Sequence, residues 1–366
     1  MDSKKMKWLI IFPDPWIAYS PSCLNFITMI EEQGDTYVLF SFNDGSFDNS
    51  HLQINKYDII IKDSFMVKIM KKIKLFKYFK IIKFYITIKS KKINDYDKVI
   101  GFDDVGYFIA RMFDKNAIYY SLEISKSFLN YVIFKFLNVK LLIIQSEERM
   151  RYLVNGNKMV DTVYIQNSAI YNEFEVLNKT YNNKLVYFGN IIPSHGVDEC
   201  IKVLRLLKEE ILVIKGLAQS DTRYINQLKE KYHDLISANR LFFDLTYIEK
   251  DKVSEYLSQF SIGFCFYDLK FKNTRNFNYL SSPSGKMFNY FNSCTPVIGI
   301  DFVGLHPIKK FNAGVLIENY NEREVLNAIH KIKENYNYYV SNTKIAAIYY
   351  DYRKMFYDAK AKIYGS

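Results

Sequence analysis

The feature that most limits how this chain can fold is an alternation that runs through it twice. Short, nearly continuous apolar runs are separated by stretches with helical periodicity. In the first half the runs fall at 7–12, 37–42, 57–61, 98–101, 117–122 and 140–144. Helical patterns follow at a segment capped by Ser22, at 103–113, and after Ser146. Unbroken apolar runs suit strands covered on both faces, and intervening helices cover both faces of a parallel sheet. The second half restarts with runs at 185–188, 211–214, 241–243, 262–266, 296–299 and 314–317. Its spacing predicts helices over 197–207, 220–232, 250–259, 286–291, 322–334 and 341–364. The stretch 166–183 is polar and without a strong apolar period, which makes it the boundary. The expected fold is α/β, with two Rossmann-like doubly wound domains at 1–166 and 184–340 facing a central cleft. Ligands of open α/β sheets bind where the carboxyl ends of the strands point.

Composition narrows the functional classes. With 49% hydrophobic and 17% aromatic residues among 366, the chain is neither disordered nor of low complexity. The four cysteines, Cys23, Cys200, Cys265 and Cys294, form no CxxC pair, which argues against a disulfide scaffold or a thiolate metal site. The five histidines make no HxH or HExxH spacing, so no metal is expected. No run of 18 apolar residues occurs, and the stretch 8–12 is too short for a signal-peptide core, so a cytoplasmic location is expected. No GxGxxG follows the first strand, which disfavours an epimerase.

The formal charge of +11 is concentrated. Residues 62–92 hold eleven lysines against the single acid Asp63. These lysines alternate with Ile, Phe, Tyr, Leu and Met, a composition that suits an anionic membrane surface. Lys71, Lys74, Lys77, Lys80 and Lys83 recur every third residue, so on one straight helix the row winds round and leaves no clean apolar face. A solvated helix packed on its own domain accounts for the same residues. Nucleic acid is not expected: arginine is scarce here and no recognition motif accompanies the charge.

The densest chemical signal is 281–300, SSPSGKMFNYFNSCTPVIGI. A Ser/Pro/Ser/Gly turn meets a helix start, where free N–H groups and the helix dipole favour phosphate oxygens. Ser284 and Gly285 form the turn, Lys286 adds a full charge, and Asn289 lies nearly one turn on. A well-capped helix before a strand would look the same. The loop 189–196, GNIIPSHG, also joins a strand to a helix; Gly189 and Gly196 permit close approach and His195 sits at the helix start. Lys215 and Gly216 end a third strand. Together these point to an anionic ligand, for which a diphosphate is the natural candidate.

These segments resemble the GT-B glycosyltransferases, in particular the family 4 type. SPSGKMFNYFNSCTPVIG at 282–299 is similar to the pattern SP.K.FEY...G.PVI. GN...HG at 189–196 stands where the family has GR...KG. VYIQNSAI at 163–170 resembles the family hinge, and IIQSEERMRYL at 143–153 a helix of the first domain. AIYYSLEI at 117–124 stands where relatives carry a strand ending in His-Asp or His-Glu. The match covers the chain from about residue 95. Several positions depart from the pattern. Asn190 and His195 replace the diphosphate-contacting Arg and Lys, Asn289 and Ser281 replace two Glu, and Leu122 replaces the strand-end His, leaving Glu123.

The resemblance implies sugar transfer from a nucleotide diphosphate sugar, UDP-sugar favoured, to a glycan or lipid-linked acceptor of bacterial surface polysaccharide or glycoconjugate synthesis. No cofactor and no metal are implied. Gly189, Asn190, His195, Lys215, Gly216, Ser284, Gly285, Lys286 and Asn289 would hold the donor, and Tyr247 and Ile248 its base. Asp103, Glu123 and Lys215 are the catalytic candidates, and Asp14, Trp16 and Asp104 the acceptor-binding ones. The segment 62–92 would hold the enzyme on the inner face of the cell membrane, and 341–366 would pack back on the first domain. The alternative is a binding protein that kept the fold and lost turnover.

Overall fold

The computed structural model describes residues 5–366 apart from 48, 50, 51, 53, 62, 63, 74, 94, 125, 157–159, 172–178, 217–221 and 274–276. The chain divides into two units, one of residues 1–167 with 352–366 and the other of residues 168–351.

The first unit runs β1 (Lys7–Phe12), α1 (Pro21–Glu32), β2 (Thr36–Asn43), β3 (Lys56–Ile60), α2 (Phe65–Lys72) and α3 (Phe76–Ser90). It continues with β4 (Lys98–Phe102), α4 (Asp103–Arg111), β5 (Ile118–Tyr120), α5 (Phe128–Phe136), β6 (Leu142–Ile144), α6 (Glu147–Val154) and β7 (Thr162–Tyr164). Among the described residues its sheet has seven strands in the order β3-β2-β1-β4-β5-β6-β7. Every pairing is parallel. Ile10 sits between Leu39 and Ile100 in register, and all three are fully buried. The continuous apolar runs therefore mark strands covered on both faces. A Cβ on Gly101 would fall 2.2 Å from the Gly106 carbonyl oxygen, so only glycine there lets α4 start directly against the sheet.

The second unit runs β8 (Lys184–Phe188), α7 (Val197–Leu206), β9 (Ile211–Lys215), α8 (Arg223–Lys231), α9 (His233–Ser237), β10 (Leu241–Asp244), α10 (Val253–Ser258) and β11 (Ile262–Cys265). It ends with α11 (Phe277–Ser281), α12 (Gly285–Asn292), β12 (Val297–Ile300), α13 (His306–Lys310), β13 (Gly314–Ile317), α14 (Glu322–Glu334) and α15 (Tyr336–Tyr349). Its sheet is parallel throughout, in the order β10-β9-β8-β11-β12-β13.

Three local expectations change. The cap of α1 is Ser20, whose Oγ accepts from Cys23 N, because Pro21 takes the first helical position. The helix expected over 341–364 is two helices, α15 and α16 (Tyr352–Gly365). They part where Asp351 Oδ1 accepts the Tyr171 N–H at 2.9 Å, within the second unit, and α16 belongs to the first. Tyr352 donates to the Ser22 carbonyl at 3.2 Å and lies 3.1 Å from the Tyr120 hydroxyl. Third, the lysine row does not lie on one helix, since α2 ends at Lys72 and α3 begins at Phe76. α3 buries Lys80, Ile81, Phe84 and Ile88 and exposes Tyr78, Ile82 and Ile86, each four residues apart, so it has an apolar face on each of two sides. Lys62, Asp63 and Lys74 lie outside the described residues. Among the described residues no helix is long and apolar enough to cross a membrane.

Candidate active site

In each sheet the chain leaves two adjacent strands in opposite directions, which opens a crevice at their carboxyl ends. In the second unit those strands are β8 and β11. The loop after β8 begins with Gly189 at φ +136°, and a Cβ there would lie 3.1 Å from Lys286 Cδ. Gly216 passes so close beneath that its own Cβ would sit 2.0 Å from the Gly189 carbonyl oxygen. The two glycines seat the loop directly on the sheet and make room for the stem of Lys286.

Lys286 is the second residue of α12 and is buried. Its ammonium lies over the rings of Tyr187, at 4.7 Å, and Tyr267, at 4.4 Å, and donates to Tyr187 Oη at 3.5 Å. Among the described residues it has no carboxylate partner, and burial pulls it down to about 8. Two ring faces at such distances stabilise a desolvated cation by about 2 kcal/mol or more. Ser284 precedes the helix without capping it; its Oγ instead accepts from the Tyr267 hydroxyl at 2.8 Å. The N–H groups of Gly285, Lys286 and Met287 thus start the helix without intrahelical acceptors. Tyr267 is fixed in turn by Tyr320, which accepts from its N–H at 3.0 Å and donates to its carbonyl.

His195 Nδ1 lies 3.2 Å from the Asn190 carbonyl, and its ring meets Tyr267 edge-on. Burial, and then the Lys286 charge, push it down to about 3. At neutral pH it brings a hydrogen bond and no charge. The Asn190 carbonyl also accepts from the Tyr187 hydroxyl at 2.6 Å, and the Asn190 side chain is exposed. Asn289 is half-buried one turn along α12.

Lys215 is placed differently from expectation. The register of β9 with β10 sets it opposite Asp244. Its ammonium donates to Asp244 Oδ1 (2.9 Å), Thr246 O (2.7 Å) and Thr246 Oγ1 (2.8 Å), which uses all three hydrogens. Against the cost of burial, hydrogen bonds from Thr246, Lys215 and Tyr256 hold Asp244 below the usual carboxylate range. Lys215 therefore anchors the turn that leads to Tyr247, which is exposed, and Ile248, which is half-buried. A cavity of about 510 Å³ adjoins the 193–196 turn, lined by Gly196, Asp198, Glu199, Tyr224 and Asp268; its lining includes none of the predicted donor residues.

In the first unit the crevice lies between β1 and β4. Asp14 and Trp16 follow β1, and Asp103 and Asp104 open α4. Asp103 has left-handed backbone, φ +53°, and its Oδ1 accepts the N–H groups of Leu122 (2.7 Å) and Glu123 (2.9 Å). Burial, and next the charge of Asp14, raise its carboxyl well above the usual range. Asp14 lies 3.2 Å from Lys80 Nζ, which also donates to Pro13 O at 2.6 Å. Asp104 accepts from Lys77 and from Ser127 Oγ, the latter at 2.6 Å. Trp16 packs edge-on to Phe12, and Glu123 is exposed.

Sequence reasoning missed Arg149. It is fully buried, donating from Nε to Gln145 Oε1 (2.8 Å) and from a terminal nitrogen to Leu122 O (2.7 Å). Burial pulls its guanidinium down to about 10, while Glu123 and Asp103 act the other way. A cation in the first turn of a helix opposes the dipole, and that signal was in the sequence. Tyr187 and Tyr267 were missed too, although Tyr267 directly follows the apolar run 262–266. Among the described residues no group of three or more His, Cys, Asp or Glu is arranged to hold a metal ion.

Comparison of the whole chain with solved structures decides the architecture. Anabaena HepE, solved in complex with UDP and glucose, superposes with a TM-score of 0.70 at 14% identity, covering 99% of this chain and 100% of that one. The fold is GT-B. A single-residue mutant of Staphylococcus aureus TarM, solved in complex with fondaparinux, alpha-GlcNAc-glycerol and UDP, shares this GT-B architecture. It gives a TM-score of 0.67 at 11% identity, over 99% of this chain and 100% of that one. Sucrose-phosphate synthase of Thermosynechococcus elongatus gives 0.66 at 12%, over 98% and 96%. No protein-family model and no curated protein sequence matches the chain.

Proposed function

We propose that this chain is a glycosyltransferase that moves a sugar from a nucleotide diphosphate sugar, UDP-sugar favoured, to a hydroxyl of a glycan or lipid-linked acceptor. The role we assign it is in bacterial surface polysaccharide or glycoconjugate synthesis. One observation carries the reading: a buried lysine, without a carboxylate partner among the described residues, stands in the first turn of α12 beside a glycine-floored loop. Such a group is stabilised by an anion. As the sugar leaves, negative charge builds on the diphosphate, and Lys286 with the α12 N–H groups would meet it. His195 would add a neutral hydrogen bond. Charge neutralisation then rests on these groups and calls for no metal or other cofactor. Lys215 positions the turn bearing Tyr247 and Ile248, the base-binding candidates, and Asn289 would hold sugar hydroxyls.

In the first unit Glu123 is the exposed carboxylate that would orient the acceptor or take its proton. Asp103 holds the backbone of Glu123, and Asp14, Trp16 and Asp104 complete the acceptor side. The basic helices α2 and α3 would rest on an anionic membrane surface, as a peripheral protein of the inner face. UDP is favoured because HepE and TarM were solved with it.

A thermal-shift series with UDP, GDP, ADP, CMP and their sugars tests the reading, since a ligand of the native state raises the unfolding midpoint. One nucleotide diphosphate is expected to shift the native protein and not its Lys286→Ala variant. No shift with any nucleotide would sink the proposal. A second reading, binding without turnover, is favoured by the engaged ammonium of Lys215 and the uncharged ring of His195. It predicts a shift with no sugar transfer and no donor hydrolysis.

A further inference from the structure

Outside the crevices, helix α5 presents exposed aromatic side chains. Phe128 and Phe136 of α5 are 69% and 67% exposed, and Tyr131 between them is exposed as well. No part of the reaction above uses α5. We propose that α5 joins α2 and α3 in one docking surface for an anionic lipid bilayer, with its aromatic side chains entering the interface. This rests on the membrane part of the preceding section and extends it to a helix that carries no lysine cluster.

The helices are physically joined. α4 packs against both α3 and α5. Asp104 accepts from Lys77, the second residue of α3, and from Ser127, the cap of α5, and Lys77 Nζ lies 3.3 Å from Ser127 Oγ. The N-terminal ends of α3 and α5 are therefore pinned to one carboxylate, and Tyr78 and Phe128 adjoin the pinned residues in sequence. From there an apolar stripe runs along α3 through Ile82 and Ile86, and a second along α5. α2 adds Phe65 and Met66, 78% and 67% exposed.

Charge selects the occupant. Residues 64–94 and 124–146 contain no Asp or Glu, while Lys68, Lys71, Lys72, Lys83, Lys89 and Lys135 are exposed on or beside the stripes. Lys135 Nζ lies over the rings of Tyr131 and Phe136, at 4.9 and 5.6 Å, a cation set above an apolar body. Apolar groups enter an interface, and lysines around them favour anionic headgroups. A second copy of the chain would bring the same lysines face to face, which like-charge repulsion opposes.

The full-length protein is mixed with vesicles of phosphatidylcholine, with and without phosphatidylglycerol, and the bound fraction is measured by co-sedimentation. Binding is expected only with phosphatidylglycerol, weakening with salt. Phe128→Ser with Phe136→Ser should lower it on the order of tenfold and leave the salt dependence unchanged, whereas Lys71→Gln with Lys72→Gln should flatten that dependence. A Phe136→Trp variant reports directly, because its emission should shift blue on anionic vesicles and be quenched by brominated lipid. Native-like binding by the Phe pair variant, or a Phe136→Trp emission that vesicles leave unmoved, overturns the proposal. So does a dimer that the Phe pair variant dissociates, with no vesicle binding. The nucleotide thermal shift, run on the same samples, separates the failures. For the native protein, absent vesicle binding with the nucleotide shift present defeats this surface alone, and an absent shift with vesicle binding present defeats the donor site alone.

Discussion

A lysine buried between two tyrosines gives up its proton more readily than one in water, and Lys286 has no acid among the described residues to compensate. Its value of about 8 lies below the 10.5 of a free lysine. Between those two pH values the unfolded chain holds more protons than the native one. The destabilising cost of the buried charge is therefore full at neutral pH and relieved as pH rises through that window. A bound diphosphate reverses the preference and draws the proton in. Nucleotide affinity should accordingly fall above about pH 8, approaching tenfold per pH unit, as read by calorimetry across pH. The variant Lys286→Ala should lose that slope and bind about 10–100-fold more weakly, the loss of one charged hydrogen bond. Asp244→Asn is expected to loosen the grip on Lys215 and raise KM for the donor with little change in kcat, because it disturbs the base-binding turn. Equal falls in kcat and kcat/KM would instead place Lys215 on the reacting diphosphate.

At the scale of elements, α12 carries the site at one end and is held at the other. Lys179 Nζ donates to the carbonyls of Ser293 and Cys294 and to Thr295 Oγ1, at 3.3, 3.0 and 2.8 Å, closing the carboxyl end of the helix. Burial pulls Lys179 down to about 7 from 10.5, so its charge also weighs least on stability as pH rises through that range. Lys179→Met should cost about 1–3 kcal/mol in denaturant unfolding, by leaving buried acceptors unpaired. Gly216→Ala should do more harm, since the added methyl meets the Gly189 backbone oxygen and must displace the whole 189–196 loop. A lowered unfolding midpoint together with a lost nucleotide shift is the expected result.

Elements were also what the sequence showed best. Unbroken apolar runs such as 7–12 and 262–266 suit strands covered on both faces, so the second sheet, six of the seven described strands of the first and the loops at their carboxyl ends were legible; β7, only three residues long, was not. Lys286 and Gly189 were legible because glycine turns and helix starts are local. The company of Lys215 was not, because it follows from the pairing of β9 with β10, which no local pattern states. The tyrosines around Lys286 were hidden for another reason: in a chain with 31 tyrosines, a binding tyrosine and a packing one look alike. The break between α15 and α16 depends on Tyr171, some 180 positions away from Asp351.

For the molecule as a whole, the two units are unequal in how they are closed. Residues 168–351 form an unbroken stretch, so that segment expressed alone should fold and keep the nucleotide thermal shift. The first unit depends on α16, which buries Tyr352, Phe356 and Ile363. Phe356 packs edge-on to Phe26, Tyr364 edge-on to Trp8, and Tyr364 donates to Asp35 at 2.6 Å. A chain cut after Asp351 should lose the cooperative unfolding of the first unit and retain that of the second, seen as a single surviving calorimetric transition.

That dependence has a temporal side. Domains usually mature in the order in which a ribosome makes them, amino-terminal first. Here the seven strands of the first sheet emerge early but cannot finish until residues 352–366 follow, after the entire second unit has been made. Throughout that interval the α1 face that receives α16 stays uncovered, with Phe26 among its side chains. A unit made before its neighbour is thus sealed only after it, and for the whole of that interval an aromatic face meant for the interior is open to whatever else can bind it.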